Sequence, residues 1–362
     1  MPDHKIVVRF ADGVEFDFQA DEQTRILDAA LAHDIPILKQ CQSGSCGTCV
    51  AMVAEGEMEM VTGTAVALLP SEIKEGMRLT CQSIARSDCT LSISYPSSVG
   101  ENEAAEGMAE VLEAEWLSDN VVKLTLEMPE AWEGTFEPGQ YMQLQVPGTD
   151  QWRSFSMSSP PAALPEIEFI VRILEQGGTM SDYLRERVKP GDMMKVEGPF
   201  GQFVLRDSDG PRIMIAGGTG LSPMMSMLDY LRKAKKGKKP PIVLSFGTAT
   251  QANLFHTDEL ELREFWMRNL ECRVSIDQGP AAAESVRIGD PVSAITADDI
   301  AAPGTTAYLC GPPGMIDAAR RHLIGLGLPA EAIFAEQFVA SGEDADGPET
   351  TDTQNKEAAA HE

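Results

Sequence analysis

The sequence predicts a multidomain chain of mixed class, α+β and α/β: a small sheet crossed by one helix, then an antiparallel β-barrel, then a doubly wound parallel sheet. Three observations predict it. Short alternating strands flank a tight group of cysteines in the first hundred or so residues, closely spaced strands with Gly and Pro turns follow, and from Pro211 strands and helices alternate. A chain of 362 residues is also long for one hydrophobic core.

Hydrophobic content of 43% and charged content of 23% are ordinary for a folded chain in water. The longest apolar runs, such as Arg212 to Ala216 and Ile242 to Phe246, fall far short of the roughly 20 residues that span a bilayer, so no membrane insertion is expected. Met1-Pro2-Asp3-His4 leads straight into a strand pattern without a basic-then-apolar leader, which predicts a cytoplasmic protein. A net charge of −27 repels phosphate backbones, so no nucleic-acid partner is expected; it suits a protein with a basic face, or simply keeps the chain soluble.

The first unit is read over residues 1–96. Ile6 to Phe10 and Val14 to Phe18 alternate about Ala11-Asp12-Gly13, a hairpin pattern. Thr24 is placed to cap a helix running through His33 and ending at Pro36. Arg78 to Gln82 and Cys89 to Ser94 read as later strands. Seven cysteines, an odd number, point to metal or cofactor chemistry rather than a disulfide framework. Cys41, Cys46 and Cys49 stand in the run C-x4-C-x2-C, with Cys81 further on. That is the spacing of a plant-type [2Fe-2S] site. Gly44 and Gly47 allow the left-handed turns that fold a loop over a cluster. Ser43, Ser45 and Thr48 are small enough for backbone N–H groups to approach the sulfurs and tune the potential. A zinc site is the alternative; zinc ribbons carry C-x2-C on both sides, whereas Cys81 has no second cysteine beside it. Cys89 and Cys272 lack such company and read as small buried hydrophobes. A small sheet under one helix, with this loop, is the β-grasp arrangement that plant-type ferredoxins use.

Residues 97–108 are polar, small and aperiodic, and read as a linker. The barrel is read over 109–208, from strands at Val111 to Trp116, Val121 to Leu126, Tyr141 to Val146, Arg153 to Ser156, Ile167 to Ile173 and Met193 to Glu197. The doubly wound unit is read over 209–339: strands at Arg212 to Ala216, Ile242 to Phe246, Arg273 to Ile276, Ala307 to Cys310 and Ile333 to Glu336, with helices from Pro223, over Phe255 to Arg268, and from Pro313. Residues 340–362, rich in Glu, Asp, Ala, Gly and Thr, read as a disordered acidic tail.

The run Arg153-Ser-Phe155-Ser156 resembles the flavin motif of the ferredoxin-NAD(P) reductase superfamily. The resemblance implies that Arg153 grips the FAD pyrophosphate, Phe155 packs on a flavin face and Ser156 sits near N5, the atom that accepts hydride. Val171 and Arg172 match positions used beside the flavin. Gly177-Gly178-Thr179-Met180-Ser181 resembles a second family motif, which opens a helix whose N-terminus favours a phosphate. Gly198-Pro199-Phe200-Gly201 resembles the turn that closes the family's barrel. Gly217-Gly218-Thr219-Gly220, between a buried strand and a helix with Pro223 near its start, is similar to the family's nicotinamide dinucleotide turn. Cys310-Gly311-Pro312-Pro313-Gly314-Met315 resembles the strand end that lies beside the nicotinamide, and Glu336-Gln337-Phe338 the closing segment that packs against the flavin. Ser156, Cys310 and Glu336 are thereby the candidate catalytic residues. NADH is expected over NADPH, because the stretch from Gly247 to His256 has no Arg or Lys for a 2′-phosphate. The basic run from Arg232 to Lys239 reads as a solvated helix end.

From ferredoxin unit through flavin unit to nicotinamide unit, the order resembles the reductase components of multicomponent (Rieske or di-iron) oxygenases, benzoate dioxygenase reductases in particular. The resemblance implies an NADH-dependent oxidoreductase that loads FAD with two electrons, releases them singly to the [2Fe-2S] cluster and passes them to a terminal oxygenase, with the chain acting as a monomer. The same module could serve another one-electron acceptor protein, such as a deoxysugar dehydratase. A zinc-stapled binding module with a degenerate flavin fold is the reading from another class, and the intact flavin and nicotinamide motifs argue against it. The histidines at 4, 33, 256, 322 and 361 form no ligand pattern.

Overall fold

The computed structural model describes residues 3–338, apart from Ser45, 62–66, 102–103, Ala131, Glu133 and 234–238. The expected acidic tail, and Lys235, Lys236 and Lys238 of the basic run, lie outside the described residues.

The first sheet grows from a hairpin, β1 (Asp3–Arg9) and β2 (Glu15–Asp21), whose register ends at Arg9 opposite Glu15. Helix α1 (Ile26–Ala32) follows, but Thr24 is not its cap: Arg25 holds the N-cap position without a side-chain bond. Asp21 does the bracing instead, accepting the Gln23 and Thr24 N–H groups at 2.8 and 2.7 Å, because it closes β2 where the chain must turn. Then come β3 (Val50–Glu55), β4 (Met58–Met60), α2 (Pro70–Lys74), β5 (Met77–Leu79), β6 (Ser83–Ala85) and β7 (Cys89–Ser92). The sheet order is β2-β1-β7-β3-β5, with β1 and β7 parallel and β4-β6 a separate pair. Ile6, Val8, Leu27, Leu79, Leu91 and Tyr95 form its fully buried core under α1. Of the expected strand over Arg78 to Gln82 only Arg78 and Leu79 are extended, in β5; Thr80–Gln82 is a 3-10 turn. The Thr80 N–H and hydroxyl both donate to the Cys49 carbonyl, at 3.1 and 3.0 Å, and this bends the chain so that Cys81 lies beside Cys49.

The stretch read as a linker is structured on both sides of the undescribed 102–103. Helix α3 (Ser97–Glu101) is anchored by Asp12, which accepts the Ser97 N–H and hydroxyl at 2.9 and 2.7 Å. Strand β8 (Ala105–Ser118) begins within it and pairs with the strand Met193–Phe200 from Ala105 onward.

Six antiparallel strands make the second sheet: β8, β9 (Val121–Glu127), β10 (Tyr141–Gln145), β11 (Trp152–Ser156), β12 (Glu166–Arg172) and β13 (Met193–Phe200), with α4 (Thr179–Glu186) before the last. Their order is β11-β10-β13-β8-β9-β12, and a bridge from Met157 to Phe169 joins the two outer strands into a barrel.

The third sheet is parallel throughout. It contains β14 (Arg212–Gly217), β15 (Ile242–Thr250), β16 (Leu270–Gln278), β17 (Val286–Ile288), β18 (Thr306–Gly311) and β19 (Ile333–Gln337), connected through α5 (Leu221–Lys233), α6 (Thr257–Trp266), α7 (Ala297–Ile300) and α8 (Pro313–Gly325). The order β17-β16-β15-β14-β18-β19 places a topological switch between β14 and β18, where ligands bind in such sheets. Along β14, Ile213 and Ile215 enter the core on one face and Met214 and Ala216 the core on the other, so a two-sided strand reads as a continuous apolar run. The three units interlock after β13: Phe203 joins the core of the parallel sheet, whereas Val204 joins that of the first sheet.

Candidate active site

One cleft of about 1300 Å³ runs from the cysteine loop, over the barrel, to the carboxyl ends of the parallel strands. Among the residues singled out from sequence, Cys41, Cys46, Arg153, Phe155, Ser156, Val171, Arg172, Gly178, Thr179, Met180, Ser181, Gly218, Thr219, Pro312, Glu336 and Phe338 line it. Cys49, Cys81, Gly220, Cys310 and Gly311 are absent from that lining, and all five are buried.

At the centre, the Ser156 hydroxyl donates to Glu336 Oε2 at 3.2 Å, which ties the barrel to the last parallel strand. Burial pushes the Glu336 carboxyl up to about 8, with the Ser156 bond pulling the other way. At neutral pH this acid therefore holds its proton, as a group that must donate or accept at a reaction centre can. Two serines overlooked in the sequence hold this wall from below. Ser222 donates to the Ser156 carbonyl at 2.6 Å and Ser226 to the Ser159 carbonyl at 2.7 Å, both from the buried face of α5. Their i, i+4 spacing in an otherwise apolar helix face was the available signal.

Toward the outer barrel, a third overlooked residue joins Arg153 to the start of α4. Gln151 Oε1 accepts from the Arg153 guanidinium at 2.8 Å and from the Thr179 hydroxyl at 2.5 Å, bringing Arg153 to the start of α4. Gly177 (φ 83°) and Gly178 (φ 140°) deliver the chain into α4, and the N-cap Gly178 has no side chain to satisfy the first-turn N–H groups. A positive side chain beside a helix N-terminus suits a pyrophosphate. Ser181 does not face that space with its hydroxyl. It is 5% exposed and accepts the Leu174 N–H at 3.0 Å, so it braces the turn.

At the switch point, Gly218 takes φ 53°, and a Cβ on Gly220 would lie 2.1 Å from the Cys310 carbonyl oxygen. The turn therefore packs backbone against backbone, leaving its outer edge at Gly218 and Thr219 to the cleft. Cys310 departs from expectation. It is 0% exposed, aligned with Ala216 on one side and Glu336 on the other, and its thiol lies in the core beneath the cleft floor. Burial, reinforced by Glu336, pushes that thiol well up, so it is a neutral spacer under the floor. Phe338 closes the cleft edge, its N–H donating to the Gly311 carbonyl at 2.9 Å. This end also carries two carboxylates, Asp277 and Asp290. Asp277 comes from the end of β16 and Asp290 from the loop after β17. Partial desolvation of this exposed group, with Asp290 nearby, raises the Asp277 carboxyl.

In the cysteine loop, Gln42, Gly44 and Gly47 are left-handed (φ 52°, 90° and 72°) and curl the backbone around the sulfurs. The thiols meet as two pairs, Cys41 with Cys46 and Cys49 with Cys81. Donors converge on them: Ser43 N–H reaches Cys41 Sγ at 3.4 Å, Cys81 N–H reaches Cys49 Sγ at 3.5 Å, and the Gln82 amide reaches Cys81 Sγ at 3.7 Å. Among the described residues no group of three or more His, Cys, Asp or Glu could hold a single metal ion. Paired thiols with N–H donors aimed at sulfur fit two irons on two thiolates each, rather than one zinc on four. The other side of the loop touches the barrel. Tyr141 donates to Gln40, Thr48 lies 3.3 Å from the Tyr141 hydroxyl, and Gln202 donates to the Gly47 carbonyl at 3.0 Å.

Comparison with known proteins agrees with this arrangement. The chain matches a 2Fe-2S iron-sulfur cluster binding domain over residues 10–86, an oxidoreductase FAD-binding domain over 108–205 and an oxidoreductase NAD-binding domain over 214–321. It is 34% identical over 349 residues to the propane 2-monooxygenase reductase component of Mycolicibacterium goodii, covering 93% of this chain and 97% of that one. It is 32% identical over 335 residues to the 2-halobenzoate 1,2-dioxygenase electron transfer component of Burkholderia cepacia, covering 92% and 98%. Among solved structures it resembles the Amycolatopsis cytochrome P450 reductase GcoB, with 25% identity, a TM-score of 0.66 and coverage of 92% and 98%. FAD, NADH and a [2Fe-2S] cluster are therefore its cofactors, and the chain belongs to the family of reductase, or electron transfer, components of multicomponent oxygenases.

Proposed function

We propose that the chain takes hydride from NADH at the carboxyl ends of β14 and β18, stores the electrons on FAD above Ser156, and passes them one at a time to a cluster held by Cys41, Cys46, Cys49 and Cys81. The final acceptor is the terminal component of an aromatic-ring or hydrocarbon oxygenase, which the protein meets as a cytoplasmic monomer.

One observation carries the route. Tyr141 stands opposite Ser156 across the β10–β11 pair, and its hydroxyl touches the cysteine loop at Gln40 and Thr48. Paired residues in antiparallel strands lie about 5 Å apart, so the flavin centre and the cluster loop are neighbours across one strand.

FAD supplies the change from two-electron to one-electron transfer. The protein supplies the rest. Arg153 and the first turn of α4 would hold the pyrophosphate, Phe155 and Phe338 would exclude water from the flavin, and Ser156 and Glu336 would hold a proton beside it. The Gly218 turn admits the nicotinamide dinucleotide, and Asp277 accepts its ribose hydroxyls.

Replacing one cluster ligand separates the two halves of the path. Cys46→Ser is expected to leave flavin bleaching by NADH intact and to abolish reduction of a one-electron protein acceptor. Acceptor reduction at the original rate in that variant would contradict the route.

A further inference from the structure

Helices α2 and α8 come from opposite ends of the chain and meet on the side of the molecule built by the first and third sheets. Arg320 of α8 is 2% exposed, and its guanidinium pairs with Glu75, which ends α2. One turn earlier on α8, Asp317 accepts the Ser71 hydroxyl at 3.2 Å. Glu72, 7% exposed, faces the same group of charges: burial raises its carboxyl and Arg320 draws it back. Leu69, just before α2, packs against the parallel-sheet core that contains Ile316 and Leu323 of α8.

This contact is poorly suited to be a mere stabiliser. Burying an ion pair costs desolvation that its attraction hardly repays, and apolar residues of equal volume often do as well. Arg320 Nε also has no hydrogen-bond partner among the described residues. The better-attested use of such a pair is to fix register between packed elements. Here the elements are the cluster-bearing module and a helix whose Met315 and Ala318 wall the nicotinamide end of the cleft. On the barrel side the first unit is already anchored, through Tyr141 and Gln202 at the cysteine loop and through Val204, which enters the core of its sheet. A module held on one side can swivel; a second anchor on another module removes that freedom.

We propose that Arg320 is a positioning residue for the electron step: by clamping α2 to α8 it fixes the orientation of the cluster loop against the barrel. The inference rests on the flavin-to-cluster path proposed above, and it concerns a residue that touches neither cofactor site.

The test is rapid mixing of the intact holoprotein with NADH under anaerobic conditions, following flavin bleaching and cluster reduction as separate absorbance changes. Arg320→Met, which keeps the volume and removes the charge, is expected to leave flavin bleaching unchanged and to slow cluster reduction at least tenfold. The reduced-cluster EPR spectrum and potential should stay those of the original protein, and Arg320→Lys should restore most of the rate. Glu75→Gln, a change at the more exposed partner, should slow cluster reduction in the same way and serves if Arg320→Met does not fold. Cluster reduction at the original rate in these variants would overturn the clamp, as would an equal slowing of flavin bleaching, which would mean general damage. A cluster left oxidised in the unaltered protein would instead refute the path on which the clamp depends.

Discussion

The raised Glu336 carboxyl has a consequence for stability. Its folded value of about 8 stands above the ordinary 4.5, so the folded chain holds a proton that the unfolded chain has released. The favourable contribution is complete below about 4.5 and is lost as pH rises through 8. In the flavin-free protein, melting temperature is expected to fall between pH 5 and 8, and Glu336→Gln should flatten that fall; identical profiles for the two proteins would count against a protonated Glu336. Asp277 bears on coenzyme choice. In the proposed site its carboxylate would accept ribose hydroxyls and repel a 2′-phosphate, so Asp277→Asn should lower the NADH-over-NADPH ratio of kcat/KM by roughly tenfold, a modest value because the group is solvent-exposed. An unchanged ratio would remove Asp277 from the site. At this scale the sequence was partly legible. Cys41, Cys46 and Cys49, like Arg153, Phe155 and Ser156, stand in short runs that the sequence displays directly, whereas Cys81 stands apart. Gln151 and Ser222 could not be found that way, because Thr179 and Ser156 are brought to them by folding, and Asp277 and Asp290 reach the cleft only through the order of the strands. Cys310 was legible in place but not in direction: alternation along β18 decides whether a side chain enters the cleft or the core beneath it.

Among the elements, the strand–turn–helix unit from β14 to α5 shows why glycines alone fit the dinucleotide turn. Gly218 needs a left-handed backbone but has open space around it, whereas Gly220 lies against the backbone of β18. Gly220→Ala is therefore expected to destabilise the protein by about 1–3 kcal/mol, the usual cost of overpacking. It should also slow flavin reduction by NADH while sparing the cluster's EPR signal. A variant with the original melting temperature and rate would show that β18 can shift to make room. The parallel strands and their helices were readable because a two-sided strand is a continuous apolar run and its helices are amphipathic. Strand β17 and helix α7 were not, being only Val286–Ile288 and Ala297–Ile300, too short for a period to emerge. The expected linker failed for a related reason. Its polar, small residues are pinned at Ser97 by Asp12, a partner 85 positions away that no local pattern reveals.

Taken as a whole, the molecule puts three separately readable units around one cleft. Their order in the sequence implied an electron path, but not the contacts that make it continuous. Tyr141 to Gln40, Gln202 to Gly47 and Arg320 to Glu75 each join residues more than a hundred positions apart. In the proposed function this continuity carries electrons from NADH through FAD to a [2Fe-2S] cluster. Anaerobic titration of the purified holoprotein with NADH, followed by visible absorbance and low-temperature EPR, tests it most directly. The expected result is loss of flavin absorbance together with a rhombic reduced [2Fe-2S] signal. Flavin bleaching without that signal would contradict the account, because the four cysteines would then hold something other than the electron acceptor.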